Sequence, residues 1–439
     1  MVFNKKTPAE RRVFLCFYLS VLLSPRYKRG LRPIKNTDVT ARQIKLFIII
    51  IAMTGLAMGL SDSVFANYFK DAYGVDAFGR GVIEFPRELP GLLCVFIVSV
   101  FAGAGDIRLS IVAQLLMIAG LIFLGLFTPA FGVMLVALFI NSLGMHMFMP
   151  LSDSIGLSLA KKGSFGSRMG AFNGIRTAFA MLAAIFVFAG FRAGFFSFTS
   201  PVKLIFLIAA AALCVVAVCL ALMRSNCVES ASGKKFSLKP NLVFRKEYML
   251  YYLLAVLFGA RKQIMYVYGP WVLIELMGFG ADRMSLLVIA GAGIGIFFLP
   301  TVGKWIDRFG PARIMLVEAV IFIFIYAVYG VMSAFLAGGL AAAGIVVVLA
   351  FGVNIADRMT MQFGMVRTIY MRSIALKEED VTPTLSAGMA IDHVFSILCA
   401  FLCGFIWREW GPQYVFVFAV GLCLCNLAVA VKIKNKSAA

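Results

Sequence analysis

The sequence predicts an all-α membrane protein of twelve transmembrane helices, arranged as two pseudo-symmetric six-helix bundles. Three observations carry that expectation. Of the 439 residues, 62% are hydrophobic and 14% charged, with a mean hydropathy of +0.94, whereas a soluble globule is about half apolar and about a quarter charged. The apolar residues gather in runs of about 20, the length that crosses a hydrocarbon core of about 30 Å. One long polar stretch, Arg224 to Lys246, follows the sixth run and divides the chain in half.

Residues 1–44 form a basic segment holding an apolar run, Val13 to Leu23, that is too short to span. Ser24, Pro25 and Arg26 follow it rather than a small-residue cleavage site, so an interfacial helix is expected, with an over-extended start as the alternative. The N-terminal bundle covers 45–223, with spans at 45–70, 81–104, 109–128, 131–160, 167–192 and 203–224. A linker, 224–247, contains Ser230, Ser232, Gly233, Lys234 and Lys235. The C-terminal bundle covers 248–431, with spans at 248–277, 285–303, 313–335, 340–366, 384–407 and 413–431, and 432–439 is a tail. Short connections make neighbouring helices antiparallel hairpins.

Lys and Arg favour one set of connections by about five to one, which places both termini and the linker in the cytoplasm. The cell's cytoplasmic membrane is the expected location. The net charge of +20 then reports topology and attraction to anionic lipid rather than nucleic-acid binding. Of the nine cysteines, each falls in a span or an inner segment by this topology, so disulfides are not expected. Cys399 and Cys403 share a helix face without the His or carboxylate set of a metal site, and their expected role is packing. Neither metal nor cofactor is expected, and a monomer is.

Internal repeats are common in transporter folds. Gly59-Leu60-Ser61-Asp62-Ser63 in the first span aligns with Gly259-Ala260-Arg261-Lys262-Gln263 in the seventh. Gly170 to Arg176 in the fifth aligns with Ser386 to Asp392 in the eleventh. The run Gly303-Lys304-Trp305-Ile306-Asp307-Arg308-Phe309-Gly310-Pro311-Ala312-Arg313, between the eighth and ninth spans, is similar to the loop motif G-x-x-x-D-R-x-G-r-r of the major facilitator superfamily. By that resemblance Gly303, Asp307, Arg308, Gly310 and Arg313 form a conformational latch. Asp106, in the shortened run Ala102 to Arg108, keeps the acid in the first half. The resemblance also implies a midplane binding site and alternating access.

An ionisable residue inside a span costs roughly 2.5–3.5 kcal/mol or more at mid-depth, so it faces a partner or a wet cavity. Arg87, Arg176, Arg261, Lys262 and Arg358 stand against Asp62, Glu84, Glu88, Asp153, Asp357 and Asp392. Near balance points to a paired network. In the second span Glu84, Arg87 and Glu88 share one face at i, i+3 and i+4, with Pro86 and Pro90 loosening the helix around them; Asp62 lies deep enough to pair with Arg87 or Glu88. Arg261 and Lys262 sit near Tyr266, Tyr268 and Trp271, and need an anion beside them. Asn354, Arg358 and Gln362 repeat every four residues as a cavity-lining stripe. The expected solute contacts are therefore Arg87, Arg261, Lys262, Tyr266, Asn354, Arg358 and Gln362.

Proton coupling or gating is assigned to Asp62, Glu84, Glu88, His146, Asp153, Arg176, Asp392 and His393. Histidine titrates near neutrality, and both histidines of the chain lie in spans. Arg176 and Asp392, opposite in charge at matching repeat positions, form a candidate gate. Met145, Met149, Met359, Met361 and Met365 read as packing. No G-x-x-x-x-G-K-[ST] run supports an ATP-driven pump, and no H-E-x-x-H or G-x-S-x-G supports an enzyme. The expected function is secondary transport of a small charged or zwitterionic solute, with the proton as coupling ion. Drug efflux is the alternative, weakened by a fifth span without the Gly-Pro motif of many exporters in the superfamily; a transport-dead sensor is another.

Overall fold

The computed structural model describes residues 41–100, 105–159, 165–223, 244–339, 344–360, 364–377 and 380–433, so Val13–Leu23, most of the linker and Gln362 lie outside the described residues. All regular structure among them is helical. The first span consists of α1 (Ala41–Ser61) and α2 (Phe65–Tyr73). The next five are α3 (Ala77–Val100), α4 (Asp106–Leu126), α5 (Phe131–Ser158), α6 (Phe165–Arg192) and α7 (Leu204–Leu222). In the second half α8 (Met249–Gln263) opens the seventh span. It is followed by α9 (Ala281–Phe309), α10 (Pro311–Ala337), α11 (Ile345–Thr360), α12 (Gly364–Ile374), α13 (Val381–Trp410) and α14 (Pro412–Lys432). Eight described segments are long and apolar enough to cross a membrane; α3, the α8 segment, α9 and α11–α12 hold the remaining positions and carry charges or interruptions.

The packing order gives the pseudo-symmetry. In the first half α1 lies on α6 and α7, α4 on α5 and α7, and α3 on α5; in the second α8 lies on α13 and α14, α10 on α11 and α14, and α9 on α11. These are the same pairings one repeat apart. Across the halves α3 packs on α13 and α6 on α9, two contacts that the repeat converts into each other. Glycines set the closest approaches, as the absence of a side chain allows. A Cβ at Gly55 would strike the Arg176 carbonyl, and one at Gly259 the Asp392 carbonyl. The aligned residues Arg176 and Asp392 thus occupy matching places, but the glycine that meets Arg176 is Gly55, one turn before Gly59.

Three elements differ from the sequence expectation. The first span is broken: Asp62, Ser63 and Val64 form a turn between α1 and α2. Backbone freed at such a break must find other partners within a membrane. The Ser61 hydroxyl donates to Ala57 O at 3.0 Å and the Ser63 hydroxyl to Gly59 O at 2.5 Å, the back-bonding that favours a bend. The seventh span is not broken but widened, with π-helical turns at Ile264–Tyr268 and Val272–Leu276, a distortion frequent at functional sites. The expected loop Gly303–Arg313 is helical on both sides of Gly310, which turns at φ +79°. Gly105, φ +84°, makes the equivalent turn before α4. Asp307 therefore precedes its glycine whereas Asp106 follows one, and the two acids are not at equivalent positions.

Candidate functional site: charge clusters between and within the halves

The deepest polar structure begins on α3. Glu84 lies between two arginines of its own helix, in contact with Arg80 one turn before it and bonded to Arg87 Nη1 at 2.8 Å. This is the i, i+3, i+4 face expected from sequence, extended by Arg80. Arg87 is thereby committed to Glu84 rather than to Asp62, although Asp62 lies within electrostatic range of it. The guanidinium of Arg87 also faces the Phe65 ring at 5.8 Å. The Arg87 carbonyl accepts the Ser142 hydroxyl of α5 at 2.5 Å, which seats the charged face of α3 against its neighbour.

One turn further, Glu88 reaches across to the other half. Its Oε2 lies 3.2 Å from Lys262 Nζ and 2.8 Å from His393 Nδ1, and Lys262 is 3.5 Å from Asp392 Oδ2. Side-chain exposures of 10–17% across the four mark a largely buried cluster that keeps a small exposed edge. The Asp392 carboxylate also accepts the Ser396 hydroxyl at 3.3 Å. His146 of α5 meets His393 ring to ring at 5.4 Å, and its Nδ1 lies 2.9 Å from Ser142 O. Gly91 makes room for this junction, since a Cβ there would enter the His393 ring. Residues of α3, α5, α8 and α13 thus converge where the halves meet.

The neighbours Arg261 and Lys262 part company. Arg261 turns into the C-terminal half, bonds Glu318 of α10 at 3.1 Å and lies over the Phe322 ring at 3.5 Å. Of the aromatic residues after them, Tyr268 and Trp271 are fully buried, while Tyr266 is 54% exposed. Its hydroxyl lies in the combined field of Lys262, Arg358, Asp357 and Glu88. The polar stripe of α11 is held by Arg358 Nε donating to Asn354 Oδ1 at 3.0 Å, Asn354 donating to Tyr329 at 3.2 Å, and Tyr326 donating to Asp357 at 3.3 Å.

Arg176 and Asp392 are not partners in this conformation: Arg176 bonds Asn173 at 2.7 Å and lies within electrostatic range of Asp153, while Asp392 lies 3.5 Å from Lys262. Asp153 and His146, both on α5, have different neighbours: His146 meets His393, and Asp153 lies in the field of Arg176. Arg176 instead borders a cavity with Met58, Met117, Met145 and Met149, so the last two methionines line space as well as pack. In the expected latch, Asp106 accepts the Ser154 hydroxyl at 2.5 Å. Arg308 and Arg313 are exposed, and the side chains of Lys304 and Asp307 lie outside the described residues. Cys399 and Cys403 are buried thiols 3.7 Å apart.

The described bonds between the halves that lie outside this central cluster gather at one end. Asn67 donates to Phe279 O at 3.0 Å, Lys70 to Ile274 O at 2.5 Å, and Arg192 lies 3.9 Å from Asp282. Gly81 lets α3 approach Ala400 and Tyr268 at the same end. Near the opposite end, Asp380 before α13 accepts Tyr248 Oη at 2.8 Å and lies 3.0 Å from Arg245 Nε. The Tyr248 hydrogen bond first, and then Arg245, hold the Asp380 carboxyl below its ordinary value.

Sequence reasoning missed Arg80, Glu318 and Arg367. Arg80 was legible as a cation one turn before Glu84, and Glu318 as an acid inside an otherwise apolar run. Arg367 lies just beyond the expected end of the tenth span.

The sequence model described as Major Facilitator Superfamily matches residues 47–377. No curated protein matches significantly. Among solved structures, the nucleoside transporter NupG is similar with a TM-score of 0.70 at 13% identity, covering 90% of this chain and 100% of that one. A D-xylose–proton symporter gives 0.66 at 14%, covering 88% and 96%. A POT family transporter in complex with a thioalcohol-conjugated peptide gives 0.67 at 12%, covering 89% and 95%. At these identities the likeness is one of fold.

Proposed function

This chain belongs to the Major Facilitator Superfamily, and from that premise we propose that it is a secondary transporter that carries a small charged or zwitterionic solute together with a proton by alternating access. The observation that carries the reading is the Glu88, Lys262, Asp392 and His393 cluster, contributed by both halves and not fully enclosed. Lys262 is its one obligate cation. A solute carboxylate or phosphate arriving at Lys262 competes with Glu88 and Asp392, because all three are oxyanions seeking the same ammonium group. The displaced carboxylate then has a reason to take up a proton, directly or through His393, since a lone carboxylate in a partly dry site is costly. Solute and proton thereby bind together, and the bond between the halves is released as they do.

Arg87, Tyr266 and Arg358 border the same region and are proposed as contacts for the rest of the solute, with Asn354 orienting Arg358. Arg261, enclosed by Glu318 and Phe322, supports the site from behind. The methionine cavity of the first half would suit a lipophilic cation, the efflux alternative, but Arg176 at its border repels one.

The test is the melting temperature of detergent-purified protein against small anionic and zwitterionic metabolites and lipophilic cations, at about pH 5.5 and 7.5, with Lys262→Gln alongside. A ligand that binds the folded state raises it by mass action. A saturable rise with an anionic or zwitterionic solute, stronger at the lower pH and lost in Lys262→Gln, supports the reading. Uptake of that solute into proteoliposomes, accelerated by an inward proton gradient, separates a carrier from a sensor. Shifts with lipophilic cations alone, indifferent to Lys262, overturn it.

A further inference from the structure

Inside the C-terminal half, apart from the cluster between the halves, a cavity lies among α8, α10, α12 and α14. Phe258, Arg261, Glu318, Arg367 and Asn426 line it, with aliphatic side chains between them. Two guanidinium groups therefore meet one carboxylate. Arg261 spends Nη2 on Glu318, but its Nη1 is buried with no acceptor. Arg367 has no hydrogen-bond or ion-pair partner among the described residues. Its Cζ lies 3.2 Å from the centroid of the Phe258 ring, which also stands 5.5 Å from Cζ of Arg261. Stacking covers the face of a guanidinium and leaves its N–H edge open, and that edge is what a planar or tetrahedral oxyanion accepts in two-pronged fashion.

Arg261 lies in the field of Asp357 as well as Glu318, yet no described acid bonds Arg367. Glu318 offsets one arginine. The other acid in the field of Arg367 is Asp392, and Asp392 is already engaged by Lys262 at 3.5 Å. The cavity measures about 10 Å³, room for no more than one water; we propose that it widens to bind a small oxyanion, a carboxylate or phosphate group, gripped by Arg261 Nη1 and the free edge of Arg367, with the Asn426 amide beside it. The site is separate from the solute cluster and does not depend on the transport reading. Because Arg261 and Lys262 are consecutive on α8, its occupant would set the position of the helix that presents Lys262. The oxyanion has two sources, a free anion in solution and the phosphate of a lipid headgroup.

The experiment uses the full chain in detergent, melted against sodium phosphate and sodium acetate at ionic strength held constant with sodium chloride. Wild type is compared with Arg367→Gln, Arg367→Lys and Lys262→Gln. A parallel series in phosphatidylcholine nanodiscs, with and without phosphatidylglycerol, separates the two sources. The expected result is a saturable stabilisation in wild type and in Lys262→Gln, weakened about tenfold or more in Arg367→Gln, as the loss of a charged hydrogen bond implies. Arg367→Lys, which keeps the charge but not the two-pronged edge, retains a weaker response and guards against a misfolded Gln variant. Saturation by soluble anion assigns a free ligand; stabilisation confined to phosphatidylglycerol discs assigns a lipid headgroup. Parallel, unsaturated shifts in every protein, the general effect of salts on folded surfaces, overturn the proposal and leave the cavity to water.

Discussion

Arg261 and Lys262 are consecutive in the chain, yet they belong to opposite kinds of charge cluster. Lys262 faces the junction of the halves, where it has two carboxylates at 3.2 and 3.5 Å and all members keep some exposure. Arg261 faces the interior of one half, where a single buried carboxylate and an aromatic ring hold it. Partners that can be exchanged suit a group that must release and rebind; a single enclosed partner suits a group that must stay. The α-helical twist of about 100° per residue is what separates the two side chains. The difference teaches that charge count along a span does not identify a binding residue, because neighbours can be directed to different sides of the same helix.

The largest effect is expected on removing the carboxylate that Arg261 bonds in the enclosed cluster. Glu318→Ala leaves Arg261 buried without its ion pair and is expected to destabilise the protein by about 3–5 kcal/mol. Glu88→Gln, which leaves Lys262 its Asp392, is expected to cost far less. Denaturant unfolding of both variants measures the contrast, and equal losses would erase the distinction between the clusters.

Next in size are the glycines. Gly259→Ala sets a methyl group against the main chain of Asp392, which cannot move aside, and should cost about 1–3 kcal/mol by overpacking. Gly91→Ala meets the His393 ring, which can rotate. It should cost less stability but disturb the 2.8 Å link to Glu88, so thermal melting separates the two while the solute-induced shift falls in both.

A smaller effect tests the joined end. Asn67→Ala with Lys70→Ala removes two bonds to carbonyls of the other half, worth about 1 kcal/mol each. Maleimide labelling of Val75→Cys, at a residue packed against both cores, should accelerate as that end opens more often. An unchanged rate would show that packing of α3 on α13 alone holds it.

The smallest expected effect lies outside the membrane. Since Tyr248 and Arg245 depress the Asp380 pKa, the folded state gains from the ionised carboxylate. That gain is fully present above the ordinary carboxylate value of about 3.9 and is lost as pH falls through the depressed one. Tyr248→Phe should therefore lower the melting temperature slightly at neutral pH, and the gap to wild type should narrow below about pH 4. A gap that widens on acidification would reverse the sign of the linkage.

Much of the fold was legible in the sequence, because length and hydropathy are local properties that the membrane itself enforces. The order of the helices and their pairing as two repeats followed from residue order. The α3 face was legible too, since i, i+3 and i+4 neighbours meet on any helix. The break at Asp62–Val64 was less so. Ser61 and Ser63 signal it only once their hydroxyls are known to bond carbonyls a turn back rather than water or a neighbour. The π-turns of the seventh span left no clear mark in residue type.

That this chain spans a membrane many times, that it repeats, and that its charges must be paired can all be read from residue order, because hydrocarbon tolerates neither open backbone nor lone ions. Which charges pair depends on the packing of the helices. It gave Arg87 to Glu84, Glu88 to Lys262 and His393, and Arg261 to Glu318, and it kept Arg176 and Asp392 apart. Those choices depend on the rotation and depth of helices far apart in the chain, and on glycines that let them approach within reach of a hydrogen bond.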